Sequence, residues 1–186
     1  MNLLKKVKLL LPAMAISILF SAIQESKGQL ISSPDSCSSA SFYSFQSSNN
    51  KSATSSMREE IIRVARQYLG IRYRSSGKNP KAGFDCSGFT GFVFRKMGIP
   101  LKASSPAQAM EGKNVPSVKA RKGDLAFFGH RGRKGRYRVN HAAIVISEPG
   151  EPLAIIHSAS RKGIVITRVN EDPYWRRSLL FVKSVL

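Results

Sequence analysis

Acidic residues are scarce in this chain: 11 Asp and Glu stand against 30 Lys and Arg, a formal charge of +19. So basic a protein favours polyanionic surroundings, and nucleic acid, anionic lipid and cell-wall polymers all qualify. The longest apolar run, Leu9–Ile23, has 15 residues, short of the roughly 20 that a helix needs to cross a bilayer. Cysteine is limited to Cys37 and Cys86, and histidine to His130, His141 and His157. These few are not arranged as ligand pairs of the CxxC or HxxxH kind, so no metal site and no cofactor is expected. No internal repeat is visible, and 186 residues suffice for one ordinary domain.

What is present begins with a leader pattern. Lys5, Lys6 and Lys8 precede the apolar run, and Ser26 and Gly28 are small residues placed for a cut before Gln29. Residues 1–28 therefore read as a secretory signal peptide, with an uncleaved anchor as the other reading. Its removal takes away four Lys and one Glu and leaves +16. Export to the periplasm or beyond makes nucleic acid an unexpected partner and leaves no stable membrane span. A cysteine pair in an exported protein is by default a disulfide. Cys37, however, falls in a segment with 12 Ser in 28 residues (29–56) and no apolar periodicity, so it is expected in a disordered linker. It also stands 14 residues beyond Ile23 behind Pro34-Asp35-Ser36, a poor place for lipid attachment.

The folded domain is expected over 57–186. Ser56-Met57-Arg58-Glu59 fits a capping box, with Ile61, Val64, Ala65 and Tyr68 following at helical spacing up to Gly70. A second helix starts at Asp85 or Cys86 and runs to Gly98; a short third opens at Ser105-Pro106 and stops near Gly112. Then the pattern changes. Leu125–Phe128, Ala142–Ser147, Leu153–His157, Ile164–Val169 and Leu179–Val182 are short and β-rich, separated by Gly, Pro or charged turns. Helices first and strands later imply an α+β fold, N-terminal helices packed on a largely antiparallel β-sheet. His130–Arg138, five of whose residues are Arg or Lys, is expected to interrupt the first two strands as a solvated basic loop.

Cys86 lies at a helix start within FDCSGF. The unpaired N–H groups and dipole there stabilise a thiolate, so a lowered thiol pKa is expected, and the same N–H groups suit the oxyanion of an attacked carbonyl. A thiol nucleophile needs a base. His141 opens the strand HAAIVIS and His157 ends the neighbouring strand LAIIHS. On paired strands one imidazole can serve as base while the other orients it; two histidines with ordinary structural hydrogen bonds remain the other reading. His130 sits among Arg and Gly and is read as solvated.

The order and separation of LGIRYRSSG, GFDCSGF, MGIPLKASSPAQ, KGDLAFF, NHAAIVI and IIHSAS carry a resemblance. From Tyr68 to Val182 the chain resembles the NlpC-type cell-wall cysteine peptidases, whose fold is papain-like. The resemblance implies catalysis by Cys86, His141 and His157 and hydrolysis of the D-γ-glutamyl–diamino acid bond in peptidoglycan stem peptides. It also implies that Tyr73, Asp85 and Ser87 bind substrate; Asp85 reads equally as a helix cap. Gly123-Asp124 reads as a structural strand-entry turn. Ser75-Ser76-Gly77, Lys102-Ala103 and His141-Ala142-Ala143 depart from the family's usual residues without removing a reacting group. A papain-like amidase or acyltransferase, and an inactive basic envelope-binding protein, are the competing functions. The positive charge suggests attraction to an anionic envelope.

Overall fold

A computed structural model of the chain describes residues 39–132 and 135–186, with side chains from 52 onward. The leader pattern and Cys37 lie outside the described residues. The first helix, α1 (Ser39–Arg66), is longer than its sequence signals suggest. Ser56 is inside it rather than at its start, so the capping-box reading is corrected, and the helix takes in the part of the Ser-rich segment from Ser39 onward. The reason is local. No Gly or Pro occurs between Pro34 and Gly70, and Ser and Asn cost a helix only about 0.5 kcal/mol each relative to Ala. The described upstream turns bury almost nothing, whereas Ile61, Ile62, Val64 and Ala65 are buried. Apolar spacing therefore marks only the stretch that packs.

Two short strands, β1 (Lys78–Asn79) and β2 (Gly83–Phe84), form a small hairpin that delivers the chain to α2 (Cys86–Lys96). The short α3 (Ser105–Gln108) follows. A six-stranded sheet is built from β3 (Lys113–Val115), β4 (Leu125–Arg131), β5 (Tyr137–Val145), β6 (Ala154–Ala159), β7 (Gly163–Arg168) and β8 (Leu179–Ser184), with α4 (Pro173–Ser178) before the last. Its order is β3-β8-β4-β5-β6-β7, and every pairing is antiparallel.

Strand side chains alternate between faces, and here both faces are covered. Leu125, Phe127, Ala142, Ile144, Ile156 and Ile164 join Ile61 and Ala65 of α1 and Phe89 and Val93 of α2 in one core. Ala126, Phe128, Ala143, Val145 and Ile155 point the other way, against Leu153, Val169 and Trp175. An ion pair locks α1 to this sheet. The Arg58 guanidinium lies 2.8 Å from the Asp124 carboxylate and also donates to the Lys122 carbonyl and Ser184 Oγ. The second Asp124 oxygen accepts the Arg121 N–H at 2.9 Å.

The expected basic loop is strand at both of its ends. His130 pairs with Arg138 and Arg131 with Tyr137, so β4 and β5 extend into this segment from either side. Its residues carry no apolar alternation because Arg131, Tyr137 and Arg138 are all exposed. Nearer the core the ladder slips: Phe128 opposes His141, but Gly129 opposes Val139. Asn140 is left as the extra residue of a β-bulge, an irregularity that re-aims neighbouring side chains.

Candidate active site

Cys86 is the first residue of α2, and the helix end is held from several sides. Asp85 caps it: Oδ1 accepts the Gly88 N–H at 2.6 Å and the Ser87 hydroxyl at 3.1 Å. The Asp85 N–H donates to the Gly77 carbonyl at 3.0 Å. Gly88 permits that approach, since a Cβ there would fall 2.0 Å from the Gly77 oxygen. Buried Gln108 ties α3 to the same turn, donating to the Ser87 and Lys102 carbonyls at 3.0 and 2.9 Å and accepting from Thr90 at 2.8 Å. The nucleophile candidate is thus fixed by polar bonds from three segments.

The thiol faces β5 at the bulge. Its Sγ is 4.0 Å from the Asn140 carbonyl oxygen and near the N–H of Ala142, with its own N–H and that of Ser87 also close by. Cys86 is a free thiol. β5 and β6 pair only at Ile144 with Ile156 and Val145 with Ile155. Beyond that point, Asn140 and His141 of β5 and His157 of β6 line an open groove of about 870 Å³, which Cys86 and Tyr73 share. Inside it, His141 Nε2 and His157 Nδ1 stand 2.9 Å apart, and His157 Nε2 lies 3.0 Å from Thr167 Oγ1 on β7.

Trp175 of α4 covers both imidazoles, its ring centroid 4.9 Å from His141 and 4.5 Å from His157. Asp172 holds that helix start by accepting the N–H groups of Tyr174 and Trp175 at 2.8 and 3.3 Å. Burial, assisted by the neighbouring His157, pushes His141 down to about 3, and burial pushes His157 down to about 4. Burial also raises the Cys86 thiol, and the nearby Asp85 carboxylate adds to the rise; the surrounding N–H groups oppose it without winning. The expectation of a lowered thiol pKa is therefore corrected: desolvation outweighs the helix terminus. Burial thus favours the neutral thiol and the neutral imidazoles.

Of the residues singled out in the sequence, Tyr73, Cys86, His141 and His157 line one groove. Burial first, then the nearness of Cys86 and Asp85, raises the Tyr73 phenol, which keeps it an O–H donor. Asp85 and Ser87 bond to each other at the helix cap and do not line that groove; Ser87 instead lines a smaller cavity of about 130 Å³ with Lys78, Arg95 and Lys102. Thr167 and Trp175 were missed. Thr167 was legible in principle, because the β6–β7 hairpin pairs His157 with Val165 and puts Thr167 two residues on, on the same face. Nothing in local spacing announces Trp175, which reaches the site from α4, the short helix before β8.

Residues 70–184 match the model of the NlpC/P60 family. The chain is 35% identical over 127 residues to the gamma-DL-glutamyl hydrolase of Bacillus subtilis, a match covering 68% of this chain and 30% of that protein. It is 32% identical over 117 residues to the gamma-D-glutamyl-L-lysine dipeptidyl-peptidase of Bacillus cereus, covering 62% and 33%. The match thus spans about a third of the length of these curated relatives. The crystal structure of an NlpC/P60 family protein from Bacillus cereus superposes with a TM-score of 0.62 at 29% identity, over 69% of this chain and 40% of that one. Helices on an antiparallel sheet, a cysteine at a helix start and a family match over most of the chain lead to one conclusion: this protein belongs to the NlpC/P60 family, and its fold is the papain-like α+β fold.

Proposed function

We propose that the chain is an exported cysteine peptidase that hydrolyses the D-γ-glutamyl–diamino acid bond of peptidoglycan stem peptides. The observation that carries this reading is the placement of the Cys86 thiol at a helix N-terminus, in one groove with the hydrogen-bonded His141–His157 pair. The activities for which the relatives are named, γ-DL-glutamyl hydrolase and γ-D-glutamyl-L-lysine dipeptidyl-peptidase, support the substrate class. The basic, then apolar, then small-residue pattern of residues 1–28 supports export.

In this mechanism Sγ of Cys86 attacks the scissile carbonyl carbon while His141 takes the thiol proton. The carbonyl oxygen gains the charge, and N–H groups at the start of α2 stabilise it. Collapse of this adduct breaks the C–N bond, and His141 returns the proton to the departing amine. A thioester remains. His141 then draws a proton from water, whose oxygen attacks the thioester and frees the acid and the thiol. His157 orients His141 through the 2.9 Å hydrogen bond. Tyr73 offers its phenol to substrate in the groove, and Asp85 and Ser87 act by holding the helix end.

The test is incubation with purified stem peptides, followed by weighing of the fragments by mass spectrometry. The expected products split after the γ-linked glutamate, and Cys86→Ser, nearly isosteric, keeps the fold and loses turnover. Cleavage at a sugar–peptide amide would assign the chain to amidases, and absence of products from wild type would assign it to envelope binding.

A further inference from the structure

The two histidines do not end the chain of hydrogen bonds. His157 is 1% exposed, and its remaining nitrogen meets a hydroxyl, Thr167 Oγ1, at 3.0 Å. A neutral imidazole carries one N–H and one lone pair, so the proton position on each ring dictates that on the next. Two directions satisfy the line His141–His157–Thr167. In one, Thr167 donates to His157 Nε2, His157 Nδ1–H donates to His141 Nε2, and His141 is left with a proton on Nδ1. In the other, His141 Nε2–H donates to His157 Nδ1, His157 Nε2–H donates to Thr167 Oγ1, and His141 Nδ1 keeps its lone pair. Nε2 of His141 faces His157, so Nδ1 is the nitrogen left to receive a proton. Only the second direction leaves His141 able to act as a base there.

We propose that Thr167 is a positioning residue that accepts the His157 Nε2–H, holds both imidazoles in the second direction, and so keeps His141 Nδ1 ready for the thiol proton. This rests on His141 being the base, as argued above. A hydroxyl suits the task because it accepts whether His141 is neutral or protonated: after proton transfer His141 still donates from Nε2, and nothing downstream has to reorganise. Removing the acceptor has a specific consequence. A buried N–H without a partner is rarer and costlier than an unused lone pair. With valine at 167, His157 would move its proton to Nδ1 and donate it to His141 Nε2. His141 would then carry its proton on Nδ1 and lose its basic site.

The experiment uses the full chain with its histidines labelled by nitrogen-15, and records the imidazole nitrogens of the resting protein at neutral pH. Wild type is expected to show both residues protonated on Nε2 and unprotonated on Nδ1. Thr167→Val, equal in shape, should reverse both rings. On a stem-peptide substrate it should lower kcat at least about tenfold, the worth of one such hydrogen bond, with KM changed less, since the Thr167 hydroxyl, although it borders the groove, is engaged by His157. Thr167→Ser restores the acceptor and should restore both the spectrum and kcat. The proposal is overturned if wild type shows the reversed tautomers, if the valine variant keeps its spectrum and kcat, or if serine fails as completely as valine, which would mark the methyl group and not the hydroxyl as the working part. The spectrum needs no substrate, so it is decided separately from which bond the enzyme cuts.

Discussion

At the scale of single residues burial favours the neutral forms of the thiol and both imidazoles, and this has a measurable consequence for Cys86. The thiol is raised above its ordinary value chiefly by burial, so the thiolate is scarce at neutral pH. Alkylation of Cys86 by iodoacetamide should therefore be slow near pH 7 and climb through a pKa above that of a free thiol. A plateau already reached below pH 7, as in a preformed thiolate–imidazolium pair, would contradict it. Peptide mapping assigns the label. The sequence made Cys86, His141 and His157 legible through local signals, a helix start at Cys86 and apolar runs that begin after His141 and end at His157, although both strands extend past their histidines. It did not disclose the state of the thiol. The N–H groups at a helix start are readable from the sequence, whereas the desolvation that overrides them is set by β5 and its bulge, more than fifty residues downstream.

Among the elements, the best-defined long-range tie is the Arg58–Asp124 pair between α1 and the entry to β4. Asp124 is 1% exposed. Taking away one member of a buried pair strands the other's charge, at a cost of about 3 kcal/mol or more. Arg58→Met should lower stability by that amount in urea denaturation, and Arg58→Met with Asp124→Leu should recover most of it; a loss below about 1 kcal/mol for the single change would show the pair to be idle. Gly123-Asp124 could be read in advance as a turn into a strand, but its partner could not, because Arg58 lies 66 positions away in sequence. The same distinction explains the helix start and the ends of the basic segment. The described turns of α1 before Ile61 and the paired residues 130–131 and 137–138 bury too little to show periodicity, so a sequence reading that relies on burial does not find regular structure there.

For the molecule as a whole, the buried histidines couple folding to acidity. Unfolded, each binds a proton near 6.5; folded, His141 does so only near 3 and His157 near 4. Between these limits the unfolded chain holds more protons, so the stability that both histidines lend above pH 6.5 is lost as pH falls. From pH 7.5 to pH 5 the loss should be about 2 kcal/mol for each histidine. Urea midpoints followed by circular dichroism check it: wild type should weaken steeply over that range, and the double variant His141→Asn with His157→Asn much less. Equal slopes would show that burial does not govern these groups. The cover over the two imidazoles also supplies an optical reporter. Trp175 is the single tryptophan in 186 residues, and its ring touches both histidines and borders the groove. An excited indole passes an electron readily to an imidazolium and poorly to a neutral imidazole. Excited at the long-wavelength edge, where the five tyrosines do not absorb, the protein's emission therefore reports one place only. It should stay bright at neutral pH, dim as the acid pH that charges the histidines is approached, and shift in wavelength when a peptide displaces water from the groove.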